Sequence, residues 1–401
     1  MSKWEMVRLS EVAAMMTDGD WIESKDQSPN GIRLLQVGNI GKGFYIDKSE
    51  RAKYISEITF SNLKCTEVIE GDILISRLPD PVGRACIVPH HNIKLITAVD
   101  CTIIRLNSQL CNKHYLLHYL CSPQYFWQIE KYVVGTTRSR ISRKNLQTIS
   151  VPLPPLPVQQ QIADVLDQAN VLLEKRKAQI EKLDLLVKSR FLEMFGDPLT
   201  NPMGWETRPL FATLEAGSTV TYGIVQTGDN VKDGVPVFRP IDIVSGRIPL
   251  RSELKCTTKE ISSKYKRTLL KGYELLITVR GSIGDTFQVT PEFEGCNVAR
   301  NIVPLRIDTR YLLYPFMEGL FGQSATKQVI AELTKGIALQ GLNMSEFREI
   351  NIIIPPLELQ NNFVNFVSAA NKSKVEMQRG LDTLELLYKS LMQKCFSGEM
   401  F

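Results

Sequence analysis

Residues 149–157 read Ile-Ser-Val-Pro-Leu-Pro-Pro-Leu-Pro, and residues 350–357 read Ile-Asn-Ile-Ile-Ile-Pro-Pro-Leu. The first stretch holds four prolines in six residues (152–157). Neither a helix interior nor a central strand accommodates them, so the stretch is a stiff, extended boundary. The two boundaries lie 201 residues apart, and that offset recurs along the chain. Trp4-Glu5 and Leu9 return as Trp205-Glu206 and Leu210, Gly71 and Gly83 as Gly272 and Gly284, Gly135 as Gly336, and Lys188-Ser189 as Lys389-Ser390. One constant offset means a duplication with almost no net insertion. A period of about 200 residues is far longer than the roughly 20–50 of solenoid units, so each copy is a domain plus a connector.

Upstream of each boundary, short β-rich runs alternate with glycine-punctuated loops. Leu34-Leu35-Gln36-Val37 and Asp72-Ile73-Leu74-Ile75-Ser76 read as strands, and a helical stretch over 112–131 interrupts them. Downstream comes a long helix. Leu166, Ala169, Leu173, Arg176, Ile180, Leu183, Val187, Arg190 and Met194 step by three and four. Their counterparts are Val367, Ala370, Lys374, Met377, Leu381, Leu384, Tyr388, Leu391 and Cys395. A ladder held for about four heptads predicts a coiled-coil seam, and Gly196-Asp197-Pro198 and Gly398 close the two helices. Antiparallel pairing of the helices brings the chain termini together and makes the repeat pseudo-twofold. The fold expected is α+β: two similar mixed α/β domains, 1–155 and 198–356, with long helices at 156–197 and 357–401.

Composition narrows the class of function. At 43% hydrophobic and 23% charged residues the 401-residue chain is an ordinary globular protein. No apolar run approaches the roughly 18 residues of a membrane span, and the eight irregularly placed cysteines predict reduced thiols in a cytoplasm. The net charge of +5 leans toward an anionic partner. Phosphate-binding, nucleophile-elbow and zincin signatures are missing. All four histidines fall within 90–118, so the two copies cannot share a histidine site. Cys111, His114, His118 and Cys121 carry ligand-like groups, but one helix cannot wrap four ligands around a tetrahedral metal. No catalytic residue, metal site or cofactor is expected in this chain.

The stronger signal is Gly135-Thr136-Thr137-Arg138-Ser139-Arg140-Ile141-Ser142-Arg143-Lys144, a glycine-led loop with four cations among small hydroxyl residues. Arginine forks match guanine edges and phosphates, and hydroxyls bind phosphate oxygens. The equivalent loop of the second copy keeps Gly336 but is apolar, with Lys335 before it and Gln340 inside. Other loops diverge in the same way. Gln36 and Asn39 face Arg239 and Asp242, and Arg77, with Arg84 beyond it, faces Arg280 and Ser282. Framework residues are kept while exposed polar ones differ, as two readers of two sequences require. The candidate DNA contacts are therefore Gln36, Asn39, Arg77, Arg84, Thr136, Thr137, Arg138, Ser139, Arg140 and Arg143, and then Arg239, Asp242, Arg280, Ser282, Lys335 and Gln340.

In this order the chain resembles a specificity subunit of a type I restriction-modification system. The resemblance rests on the twice-used Trp-Glu opening, the Gly71–Ser76 strand, the Gly135-Thr136-Thr137 and Gly336 loops, and the Pro-Pro-Leu boundaries leading to Gln159-Gln160-Gln161 and Gln360. The linker from Met194-Phe195-Gly196-Asp197-Pro198 to Asn201-Pro202-Met203-Gly204-Trp205 completes it. Two departures stand out: Tyr273 where the first copy has Asp72, and the apolar Gly336 loop. The resemblance implies a non-enzymatic reader of double-stranded DNA, with two target recognition domains for a bipartite, asymmetric site. It further implies two methyltransferase subunits bringing S-adenosylmethionine, and restriction subunits using ATP and Mg. The alternatives are a coiled-coil scaffold or protein-interaction module without base reading, and an enzyme in its own right. The second lacks an Asn/Asp-Pro-Pro-Tyr/Phe motif.

Overall fold

The computed structural model describes residues 3–135, 139–244, 249–280, 283–333 and 343–401. They fall into two units: residues 1–177 with 379–401, and residues 178–378.

In the first unit one four-stranded sheet runs Ala13–Asp18, Cys101–Leu106, Ile73–Ser76, Ala85–Ile87, and a second runs Gln27–Ser28, Lys53–Ile55, Ile32–Leu35, Leu95–Thr97. Ile32–Leu35 and Ile73–Ser76 are buried at every position, so these runs lack alternation because both faces are covered. The first strand stops at Leu35, short of Val37. There the Asn39 Oδ1 accepts from the Gln36 N–H at 2.9 Å and turns the chain into a helical turn, Val37–Asn39. The helical stretch over 112–131 is two helices, Lys113–Leu120 and Pro123–Glu130. Pro123 lacks an N–H to continue the first helix and opens the second, capped by the Ser122 hydroxyl.

The second unit repeats this plan with three-stranded sheets: Thr286–Gln288, Leu275–Thr278, Ile302–Leu305, and Lys255–Thr257, Val235–Phe238, Asn297–Val298. Its helices Tyr314–Phe321, Ser324–Glu332 and Met344–Arg348 begin 201 residues after Lys113–Leu120, Pro123–Glu130 and Arg143–Gln147. In both units the strand after the Trp-Glu opening pairs antiparallel with the strand of the proline boundary. Val7 faces Val151 in one, and Arg208 faces Ile352 in the other.

Two buried contacts explain why the frame repeats. Gln159 and Gln360 are fully buried. Gln159 accepts from the Asn112 N–H at 2.8 Å and donates to the Leu110 and Pro154 carbonyls at 2.9 and 2.8 Å. Gln360 accepts from the Leu313 N–H at 2.9 Å and donates to the Tyr311 and Pro355 carbonyls at 2.8 Å each. Each glutamine thus ties the first turn of a long helix to the proline boundary and to the chain entering a domain helix. The second contact resolves the Tyr273 departure. Asp72 pairs with Arg105 at 2.8 Å, and one residue later in the second copy Glu274 pairs with Arg306 at 3.1 Å. Glu274 also accepts from the N–H groups of Lys271, Gly272 and Tyr273. In strand register the two acids are equivalent: Asp72 precedes Ile73, which pairs with Ile104, and Glu274 precedes Leu275, which pairs with Leu305.

The long helices are Leu156–Phe195 and Leu357–Ser397. Gly196 and Gly398, at φ 75° and 80°, take the left-handed conformation that ends them. Every residue of the 3-4 ladder is buried or half-buried, while most of the positions between are exposed. In the first unit Ile162, Ala163 and Leu166 share a core with Met392, Cys395 and Phe396, and Lys177 lies 4.0 Å from Glu385. In the second unit Phe191 and Phe195 share a core with Phe363, and Lys374 lies 2.7 Å from Asp184. Lys3 donates to the Ser397 and Phe401 carbonyls at 2.7 and 2.9 Å. Among the described residues no helix is long and apolar enough to cross a membrane.

Candidate nucleic-acid interface

In the first unit the two candidate loops after strands Ile32–Leu35 and Ile73–Ser76 are fastened together by Arg84. Its guanidinium donates to the carbonyls of Ile40, Leu78, Pro81 and Val37 at 2.7, 3.0, 3.2 and 3.0 Å. Burial pushes its pKa down. With its donors spent on backbone, Arg84 holds the loops in place and has little left to offer a base or phosphate. Asn39 is likewise buried and committed, accepting from the Gln36 N–H and donating to the Ile46 carbonyl at 2.9 Å. Gln36 itself is exposed at the rim.

Beside this rim three arginines converge on two aspartates. Arg77 is buried, with Nη2 donating to the Val99 carbonyl and Nε 3.5 Å from Asp18 Oδ1. Its backbone N–H donates to the Asp100 carbonyl. Arg143 Nε lies 3.9 Å from the other Asp18 oxygen, and Arg140 Nη2 lies 3.2 Å from Asp100 Oδ1. Burial pushes the Arg77 pKa down, Arg140 and Arg143 add to that, and Asp18 and Asp100 oppose it. The Arg140 and Arg143 side chains remain 47% and 41% exposed, so their forks are ordered and still open to an anion.

The Gly135 loop rises from this cluster. Val134 and Arg140 exchange backbone hydrogen bonds at 3.0 and 2.9 Å, closing the loop at its neck, and Gly135 takes φ 102°. Ser139 Oγ reaches back to the Gly135 carbonyl at 3.4 Å. Thr136, Thr137 and Arg138 lie outside the described residues, as do Ser282, Lys335 and Gln340. Just before the neck, Trp127 is 61% exposed with Lys131 Nζ 3.1 Å above its ring. Sequence reading singled out neither this pair nor Asp18 and Asp100, because nothing local marks a strand-end aspartate as the partner of an arginine far along the chain.

The second unit places Arg239 and Asp242 at the matching turn after strand Val235–Phe238. Asp242 accepts from the Arg239 N–H at 2.8 Å, as Asn39 does from Gln36, and also takes the Arg239 fork at 3.1 and 2.9 Å. The same turn is thus built with a charged fork in place of an amide. Arg239 stays 38% exposed, and Arg280 is half-buried past the end of strand Leu275–Thr278. The units therefore present different donors on the same frame: the open forks of Arg140 and Arg143 with an exposed glutamine in one, an Arg-Asp pair with Arg280 in the other.

The family model described as the type I restriction modification DNA specificity domain matches residues 1–182 and again residues 212–385. The chain belongs to that family. Among the relatives of this specificity subunit, the EcoBI specificity subunit of Escherichia coli is 24% identical over 331 residues, covering 74% of this chain and 69% of that protein. The putative MjaX specificity subunit of Methanocaldococcus jannaschii is 21% identical over 422 residues, covering 99% and 93%. The fold is similar to a chain solved in work on complex assembly and conformational transition of the type I R-M system, with a TM-score of 0.58, 18% identity and 98% and 97% coverage. It is also similar to the type I S subunit from M. genitalium, with a TM-score of 0.50, 14% identity and 98% and 96% coverage. The work of this specificity subunit is DNA target recognition in restriction-modification.

The four-residue Cys-His constellation has another account. His118 Nε2 lies 2.8 Å from Asp167 and Nδ1 lies 3.3 Å from the Tyr388 hydroxyl, docking a domain helix on both long helices, while Cys111 is buried in the core. Among the described residues no group of three or more His, Cys, Asp or Glu side chains is placed to hold a metal ion.

Proposed function

We propose that each globular domain reads one half of a bipartite, asymmetric duplex target, and that the paired long helices set the spacing between the halves. The observation that carries this reading is the contrast between frame and loops. Gln159 and Gln360 repeat bond for bond, whereas Arg77, Arg140 and Arg143 have no like-for-like counterparts in the second unit. The long helices pair antiparallel as a coiled coil in a pseudo-twofold repeat. Contacts of Lys177 with Glu385 and of Asp184 with Lys374 support this direction, because one number rises as the other falls. The domain bounds of this reading are 1–155 and 198–356 for the readers, and 156–197 and 357–401 for the helices.

The helices also dock two methyltransferase subunits. Leu185 and Leu186 are 60% and 50% exposed, and their counterparts Leu386 and Leu387 are 69% and 60% exposed. An outward Leu-Leu pair repeated at the 201-residue offset suits two copies of one apolar partner surface. The chain itself is non-catalytic. S-adenosylmethionine, ATP and Mg are handled by the methyltransferase and restriction subunits, and the complex works in the cytoplasm. Of the predicted contacts, Gln36, Ser139, Arg140, Arg143, Arg239, Asp242 and Arg280 remain in this reading, with Thr136, Thr137, Arg138, Ser282, Lys335 and Gln340 on the loops beside them, while Arg77 is buried and spent on the Val99 carbonyl and Asp18. Asn39 and Arg84 serve as loop fasteners.

Arg140→Ala tests the reading, since the neck of the Gly135 loop is closed by backbone bonds that the substitution leaves intact. Discrimination at one half-site should fall by about 1–3 kcal/mol if the fork meets a base. The other half-site should be unchanged in the methylation pattern of the assembled complex. Equal loss at both halves would refute independent reading.

A further inference from the structure

The second unit carries a basic groove whose exposed cations have no basic counterparts in the first unit. It has a volume of about 440 Å³ and is lined by Lys266, Arg267, Lys271, Arg306 and Glu294, with uncharged residues around them. Arg306 is spent: Nε pairs with the buried Glu274 at 3.1 Å and Nη2 donates to the Leu269 carbonyl at 3.2 Å. Lys266, Arg267 and Lys271 are exposed and make no ion pair among the described residues. The only acid in the lining is Glu294, whose backbone carbonyl accepts from Arg251. Three open cations against one acid leave the groove net positive.

The duplication supplies an internal control. At the same 201-residue offset the first copy has Cys65, Thr66 and Glu70 where the second has Lys266, Arg267 and Lys271. Only the arginine is shared, Arg105 for Arg306, and in both copies it pairs with a buried acid. The fold therefore needs the arginine and not the other three cations. The groove also lies away from the reading loops. It opens at the Leu275 end of strand Leu275–Thr278, beside the pairing of Leu275 with Leu305, whereas Arg280 follows the opposite end.

We infer that this groove binds phosphate groups, through Lys266, Arg267 and Lys271, at a place distinct from the base-reading loops of the second domain. Clustered ammonium and guanidinium donors in an open groove suit a multiply charged phosphate oxyanion. Two sources carry that chemistry: the backbone of duplex DNA extending beyond the read bases, and a free polyphosphate. The inference stands independently of which bases the loops read.

The test uses the full chain, titrated calorimetrically with inorganic pyrophosphate at low salt. Binding should be saturable in the natural protein. It should weaken by about tenfold or more in the triple variant Lys266→Ala, Arg267→Ala, Lys271→Ala. Lys271→Glu, which installs the residue that the first copy carries at this position, should weaken it too, and unchanged melting would show that both variants fold. A mixed-sequence duplex then separates the sources. If DNA phosphates occupy the groove, the triple variant should lower the slope of log affinity against log salt by about 2–3, near 0.9 per phosphate lost. If the ligand is a free polyphosphate, pyrophosphate binding is lost while duplex affinity and slope stay the same. Equal pyrophosphate binding by the natural protein and the triple variant, with an unaltered DNA slope, would overturn the proposal.

Discussion

The two units fasten their domain to the long helices with the same backbone geometry and opposite chemistry. In the second unit the joint is a phenylalanine cluster. Phe191 and Phe195 lie 5.4 and 4.9 Å from Phe316 and 5.5 Å from Phe363 between ring centres. Gly319 leaves room for them, since a Cβ there would meet Phe191 and Phe363 at 2.9 Å. In the first unit His118 occupies the position of Gly319, Tyr115 that of Phe316, and Ile162 that of Phe363. Its polar atoms are all employed: Tyr115 and Tyr119 donate to the Pro152 and Ser150 carbonyls at 2.6 and 2.7 Å, and His118 bridges Asp167 and Tyr388. A glutamine that satisfies buried backbone groups fixes the joint, so the side chains filling it are free to diverge provided volume and hydrogen bonds balance.

The largest effect should come from emptying the aromatic joint. Phe363→Ala removes a fully buried ring and should cost about 3–5 kcal/mol, while Ile162→Ala, its counterpart, should cost about 2–5 kcal/mol and sit lower in that range. Thermal melts followed in each variant would check this. A first-joint variant that proved the more damaging would break the contrast.

A smaller effect separates the joints by pH. Burial holds the His118 pKa below the usual 6.5, with Asp167 opposing that shift and the nearby His114 adding to it. The neutral ring is thus the form favoured in the fold. Its contribution is complete above about pH 6.5 and is lost as pH falls through the lowered folded value. Melting temperature should therefore decline on acidification from about pH 7.5 to 5.5, and His118→Gln should flatten part of that decline. An identical acid response in the variant would place the titration elsewhere. The second joint has Gly319 in place of this histidine, and its Glu318 is shifted the other way, with burial raising its pKa.

Much of this architecture is legible in the sequence because duplication repeats its constraints. The helix-ending Gly196 and the 3-4 ladder are local signals: a long helix ends at the one, and the residues of the other are buried or half-buried. The site is less legible, and the reason is physical. Whether an arginine meets solvent or backbone depends on residues far along the chain. Arg84 and Arg140 look alike in sequence, yet the first is consumed by carbonyls from Val37 to Pro81 and the second stays open. The Tyr273 departure misleads for a related reason, since the strand is shifted by one residue and Glu274, in the register position of Asp72, restores the ion pair. The groove cations escape notice altogether, because Lys266, Arg267 and Lys271 are ordinary surface residues until the fold gathers them.

The central claim is that one frame is used twice to read two unlike half-sites. Replacing residues 206–350 with the same segment of another family member, and sequencing the methylation of DNA modified by the complex with its methyltransferase partner, tests it most directly. The half-site read by the first domain should persist unchanged while the other half changes. Alteration of both halves, or of neither, would contradict the account.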